Sequence, residues 1–555
     1  MKMVKSLFLG TAAGLVAMAG AQAADLPVKA KPVQYVKVCS LYGVGFYYIP
    51  GTDTCIKIGG FVRSEWNFNA ASGSFAITPN QQAHTAATTY VINRSRLLLS
   101  VDVRSQTAYG TLRAFGRAGW QWTTGDTQWG GSIGGGSATV TNSPTGTYLI
   151  PTSMLYMDRA FIQLGGWTFG RTASFYDFFP TGVYSLQTNY LHQDSSGAGV
   201  AVFAYTYAFG NGLTASLSLE DPSFSANPIV AVGAITAPVG LALAGNPNLS
   251  ITPGGTSVTT TAGWTWPDLV GNVRVDQAWG SAQAQFALHN NASTYYYTTA
   301  GTAAATAGAS AAASSTNTAG GPVGSALGWA IGAGVTFNLP MIAPGDTISA
   351  AVNYCEGATR YCSAPGGTRN SGAFYGMRSM AGGTIAAAWL EDAYFGNGIN
   401  GSAVTGLQLS QTWSVIAGFN HKWNPQWQTS VYGGYLDYRA NSSAVNAAPI
   451  TVGGCSAGVV VGAPGTNAST PATGGYAGCR DFSVWHIGTR TLWNPVANLD
   501  IGVDVMYHYV NSAYRGYTLT GPTAGVAGGA AGTGAIGGNV GNVSGIFRVQ
   551  RNFWP

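Results

Sequence analysis

The run Leu499-Asp500-Ile501-Gly502-Val503-Asp504-Val505-Met506-Tyr507-His508-Tyr509 places Leu499, Ile501, Val503, Val505, Tyr507 and Tyr509 on one side of an extended chain. Asp500, Gly502, Asp504, Met506 and His508 fall on the other. A period of two is the mark of a strand with one apolar face. The same alternation runs through Leu213 to Glu220, with four apolar residues opposite Thr214, Ser216, Ser218 and Glu220, and through Trp329 to Leu339. These runs reach roughly ten residues, the length a tilted strand needs to cross a bilayer.

Composition narrows the setting. Of 555 residues, 8% are charged and 46% hydrophobic, whereas a soluble domain carries roughly 25% charge. Low charge with 12% aromatics also excludes a disordered chain. After residue 24 no apolar run approaches the roughly 20 residues of a membrane helix. An all-β fold remains, a transmembrane antiparallel β-barrel whose apolar residues are dispersed among its strands.

The connections have a rhythm. Short turns fall at 106–107, 165–166, 210–212, 278–280, 339–345, 424–425 and 494–495. Between them lie long Gly/Ser/Thr/Ala segments at 69–90, 121–153, 172–197, 222–268, 291–326, 356–406, 440–480 and 511–543. Outer-membrane barrels show this asymmetry of short periplasmic turns and long external loops, and the spacing predicts about sixteen strands. Thr384 to Leu390, inside the sixth long segment, reads as a loop helix or as an extra strand, which leaves about eighteen open. Trp423 and Trp493 each precede an Asn-Pro turn and Trp427 follows the first, as expected of an interfacial aromatic girdle.

The N-terminus carries Lys2 and Lys5, an apolar stretch from Leu7 to Ala21 and an A-x-A site at Ala21-Gln22-Ala23, the pattern of a secretory signal peptide over 1–23. Its removal lowers the formal net charge from +5 to +3, too little for a nucleic-acid partner, whose footprint is a dense basic patch. A segment at 24–55 on the periplasmic side then precedes a barrel over 56–555. The cysteines fall into close pairs, Cys39 with Cys55, Cys355 with Cys362 and Cys455 with Cys479. In an exported chain they are expected to form disulfides. A metal site is the alternative, but no C-x-x-C or His-rich spacing accompanies any pair, and no cofactor is expected.

If the apolar face meets lipid, the other face lines the interior. In 56–68 that face carries Lys57, Arg63, Glu65 and Asn67; in 91–105 it carries Arg94, Arg96, Ser100, Asp102 and Arg104; Arg113 and Arg117 follow on the next strand. Guanidinium groups inside a barrel need water or acids beside them. Two roles are open and compatible, lining of an aqueous pore and register-fixing ion pairs with Glu65 and Asp102. The third long segment, after Gly170-Arg171, reads Thr-Ala-Ser-Phe-Tyr-Asp-Phe-Phe-Pro and continues to Asp194. Its aromatics suit an inward fold onto the wall, with Asp177 and Asp194 facing the arginines across a constriction; Asp177 serves equally as a turn cap. Gly130-Gly131-Ser132-Ile133-Gly134 and Gly532-Thr533-Gly534-Ala535-Ile536-Gly537 match catalytic and nucleotide-binding patterns only by chance in a chain of 79 glycines. No enzymatic activity is expected.

The segments Ala24-Asp25-Leu26-Pro27, Val38-Cys39-Ser40-Leu41-Tyr42-Gly43 and Gly45 to Cys55, then Ile56-Lys57-Ile58-Gly59-Gly60, resemble the porins of alphaproteobacterial outer membranes, the general diffusion type of Brucella and the Rhizobiales. Asn93-Arg94-Ser95-Arg96-Leu97, Gly170 to Phe175 and Arg548 to Trp554 extend the resemblance over most strands, leaving the long loops unmatched. The resemblance implies a homotrimer of sixteen-stranded barrels in outer-membrane lipid, passive diffusion of small hydrophilic solutes and ions, and an inward third loop. Such barrels usually end in an aromatic residue read by the insertion machinery, whereas this chain ends Phe553-Trp554-Pro555. The rival functions are a channel specific for one solute, such as a sugar, and a surface adhesion or binding barrel.

Overall fold

The computed structural model describes residues 37–69, 91–123, 152–187, 191–195, 199–223, 225–232, 258–259, 263–293, 323–363, 373–378, 384–396, 405–440, 481–511, 518–519 and 535–553. The expected signal peptide, the pair Cys455/Cys479 and the last two residues lie outside them. Sixteen strands form the barrel: β1 (Cys55–Phe68), β2 (Val91–Thr107), β3 (Gly110–Thr123), β4 (Thr152–Leu164), β5 (Trp167–Thr172), β6 (Val200–Gly210), β7 (Leu213–Glu220), β8 (Asp268–Gln277), β9 (Gly280–Ala292), β10 (Ser325–Asn338), β11 (Thr347–Glu356), β12 (Gln411–Lys422), β13 (Trp427–Arg439), β14 (Phe482–Trp493), β15 (Leu499–Asn511) and β16 (Val540–Asn552). Each pairs antiparallel with the next. The ring closes where Phe61–Phe68 of β1 pairs with Asn552–Gly545 of β16. Closure leaves no sheet edge, so every ladder hydrogen bond is made without solvent, as a hydrocarbon setting demands.

The two faces separate as the alternation predicts. On β1, Ile58 and Val62 are 60% and 54% exposed, while Glu65 and Asn67 are fully buried. On β15, Val503 and Val505 face out and Asp504 and His508 are buried. The greasy face is therefore outside and the polar face inside, the reverse of a soluble protein and the order expected in lipid. One irregularity matters for the interior. The β3–β4 register shifts between Arg117 and Ala118, and this bulge buries consecutive residues Asp158 and Arg159.

Connections alternate as the sequence indicates, seven short and eight long, with all the long ones at one end. The β4–β5 turn is two residues, Gly165 and Gly166, at φ 54° and 95°, a conformation a side chain would strain. At the short-turn end Trp427 stacks on Trp493 with ring centroids 5.6 Å apart, and Trp423 is exposed beside them. That position fits the expected girdle. Cys39–Cys55 and Cys355–Cys362 are disulfides. The first ties the preceding segment to β1, where Tyr47–Tyr48 pairs with Ile56 and Cys55.

Thr384–Leu390 is a strand, but not one of the barrel. It pairs antiparallel with Ala373–Arg378 and, in parallel, with Ala535–Gly537. The open choice between sixteen and eighteen is thus settled at sixteen, because this hairpin finds its partners among the long connections and not at the wall. A second small sheet joins Ile229–Val232 to Ala393–Gly396 in parallel and to Val258–Thr259. The long connections pair with one another at the barrel mouth.

Candidate functional site

Register brings the predicted cations together. Across β1 and β2, Arg63 stands opposite Arg96, Glu65 opposite Arg94 and Lys57 opposite Asp102; across β1 and β16, Glu65 stands opposite Arg548. Like charges placed directly opposite repel, so the wall needs acids between them. Glu65 supplies one: its carboxylate takes Arg94 Nε at 2.6 Å, Arg548 Nε at 2.5 Å and Arg63 Nη1 at 3.5 Å. Asp102 takes Arg104 and Arg113, each with an Nη2 at 2.8 Å. Asp158, turned inward by the bulge, takes Arg117 at 2.5 Å and Arg159 at 2.8 Å.

Pairing does not neutralise the wall. Among the described residues of β1–β4 and β16, Lys57, Arg63, Arg94, Arg96, Arg104, Arg113, Arg117, Arg159 and Arg548 face Glu65, Asp102 and Asp158, nine cations to three carboxylates. Arg96 makes no ion pair within 4.0 Å among the described residues, and Glu65 acts on it only at longer range. It donates to Gln121 Oε1 at 2.7 Å and lies 5.2 Å from the centre of the Tyr156 ring. The side chains of Arg104, Arg113 and Arg117 retain 26–32% exposure. Register-fixing pairs and solvent-facing cations therefore coexist on one wall. Strand parity alone puts Arg548 on this wall, while Asp158 reaches it only through the bulge, which the sequence does not display.

The segment between β5 and β6 hydrogen-bonds to residues of several strands. Near its start, Glu220 of β7 accepts from Phe175 N at 2.8 Å and Ser174 Oγ at 2.7 Å, and Asn272 of β8 donates to Phe175 O at 2.6 Å. A single helical turn, α1 (Thr181–Tyr184), follows. Tyr184 shares a hydrogen bond with Ser349 of β11 at 2.7 Å, and its carbonyl accepts from Ser430 of β13 at 2.6 Å. Beyond it, Asp504 of β15 accepts from Leu186 N at 2.6 Å, Ser185 Oγ at 3.1 Å and Gln187 Nε2 at 3.2 Å, and from the Tyr432 hydroxyl. Arg548 donates to Leu186 O at 2.7 Å.

Asp177 closes this segment on itself, accepting from Ser195 N at 2.9 Å and from the Ser195 hydroxyl. It is a staple between the two limbs. Burial, reinforced by Asp194, pushes its carboxyl well above the usual range. Asp194 is half-buried and acts electrostatically on Arg159 and His192. His192 is buried against Phe179, with Nε2 3.1 Å from Thr181 Oγ1. Burial lowers its pKa to about 4, against the opposing pull of Asp194.

Residues 25–528 match the family model of the porin subfamily. The chain belongs to that family. Among curated relatives, the porin Omp2b of Brucella suis is 35% identical over 222 residues, 39% of this chain and 52% of that protein. Omp2b of Brucella abortus (strain 2308) is 33% identical over 222 residues, 39% of this chain and 54% of that one. The chain spans about half the length of the curated relatives it matches. Among solved structures, the outer membrane channel DcaP of Acinetobacter baumannii aligns at TM-score 0.47 and 13% identity, over 91% of this chain and 99% of that one. An anion-selective porin from Comamonas acidovorans aligns at 0.37 and 12%, over 90% and 100%.

Proposed function

We propose that the protein is an outer-membrane porin, a water-filled barrel through which small hydrophilic solutes and ions diffuse passively. The observation that carries this reading is the arginine wall. A ring of sixteen strands is too wide for side chains to fill, and nine cations beside three carboxylates on its inner face need water. In this reading the segment from Phe175 to Asp194 lies across the lumen and narrows it, with Asp177 holding its neck. Lipid surrounds the exposed apolar band, the long connections face outward, three copies assemble, and the insertion machinery reads the C-terminal strand. The wall's surplus of positive charge favours anions at the constriction.

In a planar bilayer with a potassium chloride gradient, the refolded mature chain is expected to conduct in steps of three. Its reversal potential should lie on the chloride side, with a permeability ratio of about threefold. Arg96→Ala is expected to lower that ratio. Equal permeation of potassium and chloride removes the anion preference, and a silent bilayer removes the channel.

The buried imidazole of His192 adds a pH dependence. An undocked His192 titrates near its ordinary value of about 6.5, and the docked one near 4. Between these values the undocked state binds the extra proton, so docking weakens as pH falls from 6.5 towards 4 and is at full strength above that window. His486 of β14 is a neighbouring titratable group that stays the same in both proteins. The Asp177 carboxyl, raised by burial, works in the opposite sense. The comparison with His192→Phe, which keeps the ring contact, therefore isolates the imidazole. Open-channel noise should rise on acidification in the parent and much less in the variant; matching curves refute the assignment.

A further inference from the structure

The connection between β11 and β12 contributes an element that the channel reading leaves unused. It begins with the Cys355–Cys362 disulfide and a buried turn at Thr359–Cys362. The hairpin Ala373–Arg378 with Thr384–Leu390 follows. Ala386 and Leu390 are wholly inaccessible to solvent, and they share one apolar cluster with Leu436 of β13, Val484 of β14, Met506 of β15 and Leu191 of the segment between β5 and β6. By strand parity the three wall residues face inward: their neighbours Val431, Ile487 and Val505 are on the exposed outer face. An apolar patch on the inner wall of an aqueous barrel is costly unless something dry covers it.

The return limb is pinned from two sides. Glu391 and Tyr394 bond to the Tyr438 hydroxyl of β13, the second at 3.0 Å. Asp392 accepts from Thr359 N at 2.8 Å, Thr359 Oγ1 at 2.7 Å and Asn227 N at 2.6 Å, and His289 of β9 lies beside it. A fully buried carboxylate with this many donors holds a fixed geometry. A disulfide thus fixes the start of the connection, and a carboxylate hub holds the limb that follows the hairpin.

We propose that the paired strands Ala373–Arg378 and Thr384–Leu390 form a second, fixed constriction, packed against Phe179, Tyr184 and Leu191 of the segment between β5 and β6, that fills the β13–β15 side of the mouth and confines solutes to the side of the arginine wall. It makes the protein selective for small anions by removing the uncharged part of the cross-section. The inference rests on the channel reading above and adds a specificity element to it. Size exclusion then belongs to two elements, the second supplied by the sixth long connection.

The test uses the full mature chain. Ala386→Arg puts a charge into the apolar cluster and is expected to expel the hairpin. Conductance should rise about twofold as the closed side opens, a larger neutral sugar should enter liposomes, and the chloride preference should fall. Ala386→Cys is the variant that leaves the packing intact. Its thiol should resist a maleimide in the native barrel and react once the barrel is unfolded. Unchanged conductance and exclusion in a folded Ala386→Arg barrel, or rapid native labelling of Ala386→Cys, overturns the proposal. A parent chain that does not conduct overturns the channel reading instead, and the labelling result still reports on the hairpin.

Discussion

Glu65→Ala is expected to destabilise the barrel by about 3–5 kcal/mol, the penalty for stranding buried charges by removing one partner. Glu65 is fully buried and accepts from three guanidinium groups, those of Arg94, Arg548 and Arg63. Two of the three sit on strands other than its own, and one of those is β16, where the ring closes. Truncation leaves three like charges around an empty site at the closing seam, so the loss falls on the whole barrel. Urea unfolding of the refolded protein in vesicles, followed by tryptophan fluorescence, measures it. Glu65→Gln keeps the volume and one acceptor and should lose less. Glu65→Ala combined with Arg548→Ala should lose less than the sum of the two single changes, because the second removes a charge that the first left unpaired. A loss below about 1 kcal/mol in Glu65→Ala, the size of an exposed pair, refutes this account of the wall.

The parity that placed Lys57, Arg63, Glu65, Arg94, Arg96, Asp102, Arg104, Arg113 and Arg117 inside was readable because a strand admits only two faces. The turn rhythm set the strand number for the same reason: two-residue turns such as Gly165-Gly166 can join only adjacent antiparallel strands. What stayed hidden depends on contacts between distant segments. Asp504 lay on the polar face of the run that declares the fold, yet nothing local shows that it holds Leu186, 318 residues away. Thr384–Leu390 has strand character without the flanking turns that would tie it to a neighbour, so its pairing with Ala535–Gly537 had no local signal. The bulge that turns both Asp158 and Arg159 inward likewise breaks the alternation on which the reading relied.

Asp504→Ala should act on the segment between β5 and β6, the constriction of the proposed channel, and leave the barrel standing. The carboxylate of Asp504 is buried and receives the Leu186 N–H, the Ser185 hydroxyl, the Gln187 amide and the Tyr432 hydroxyl. Three of these four donors belong to the segment between β5 and β6. Hydrogen bonds to a charged acceptor contribute about 1.5–3 kcal/mol each, and the donors left behind in a buried place lose solvation as well. Other ties at this end remain, among them Arg548 to Leu186 O, Ser544 to Gln187 Oε1, Arg490 to Gly182 O and Ser430 to Tyr184 O. A loss of about 3 kcal/mol in docking multiplies the undocked population by about a hundredfold. Since the β14–β15 and β15–β16 ladders are untouched, the unfolding midpoint should move little, in contrast to Glu65→Ala. The channel should instead show frequent steps to a wider state, with mean conductance raised by about twofold. Asp504→Asn keeps an acceptor for the Leu186 N–H and should fall between. If Asp504→Ala conducts with parental amplitude and noise while folding normally, the segment is held by packing of Phe179, Tyr184 and Leu191 against the wall, and the carboxylate only satisfies donors that packing has already placed.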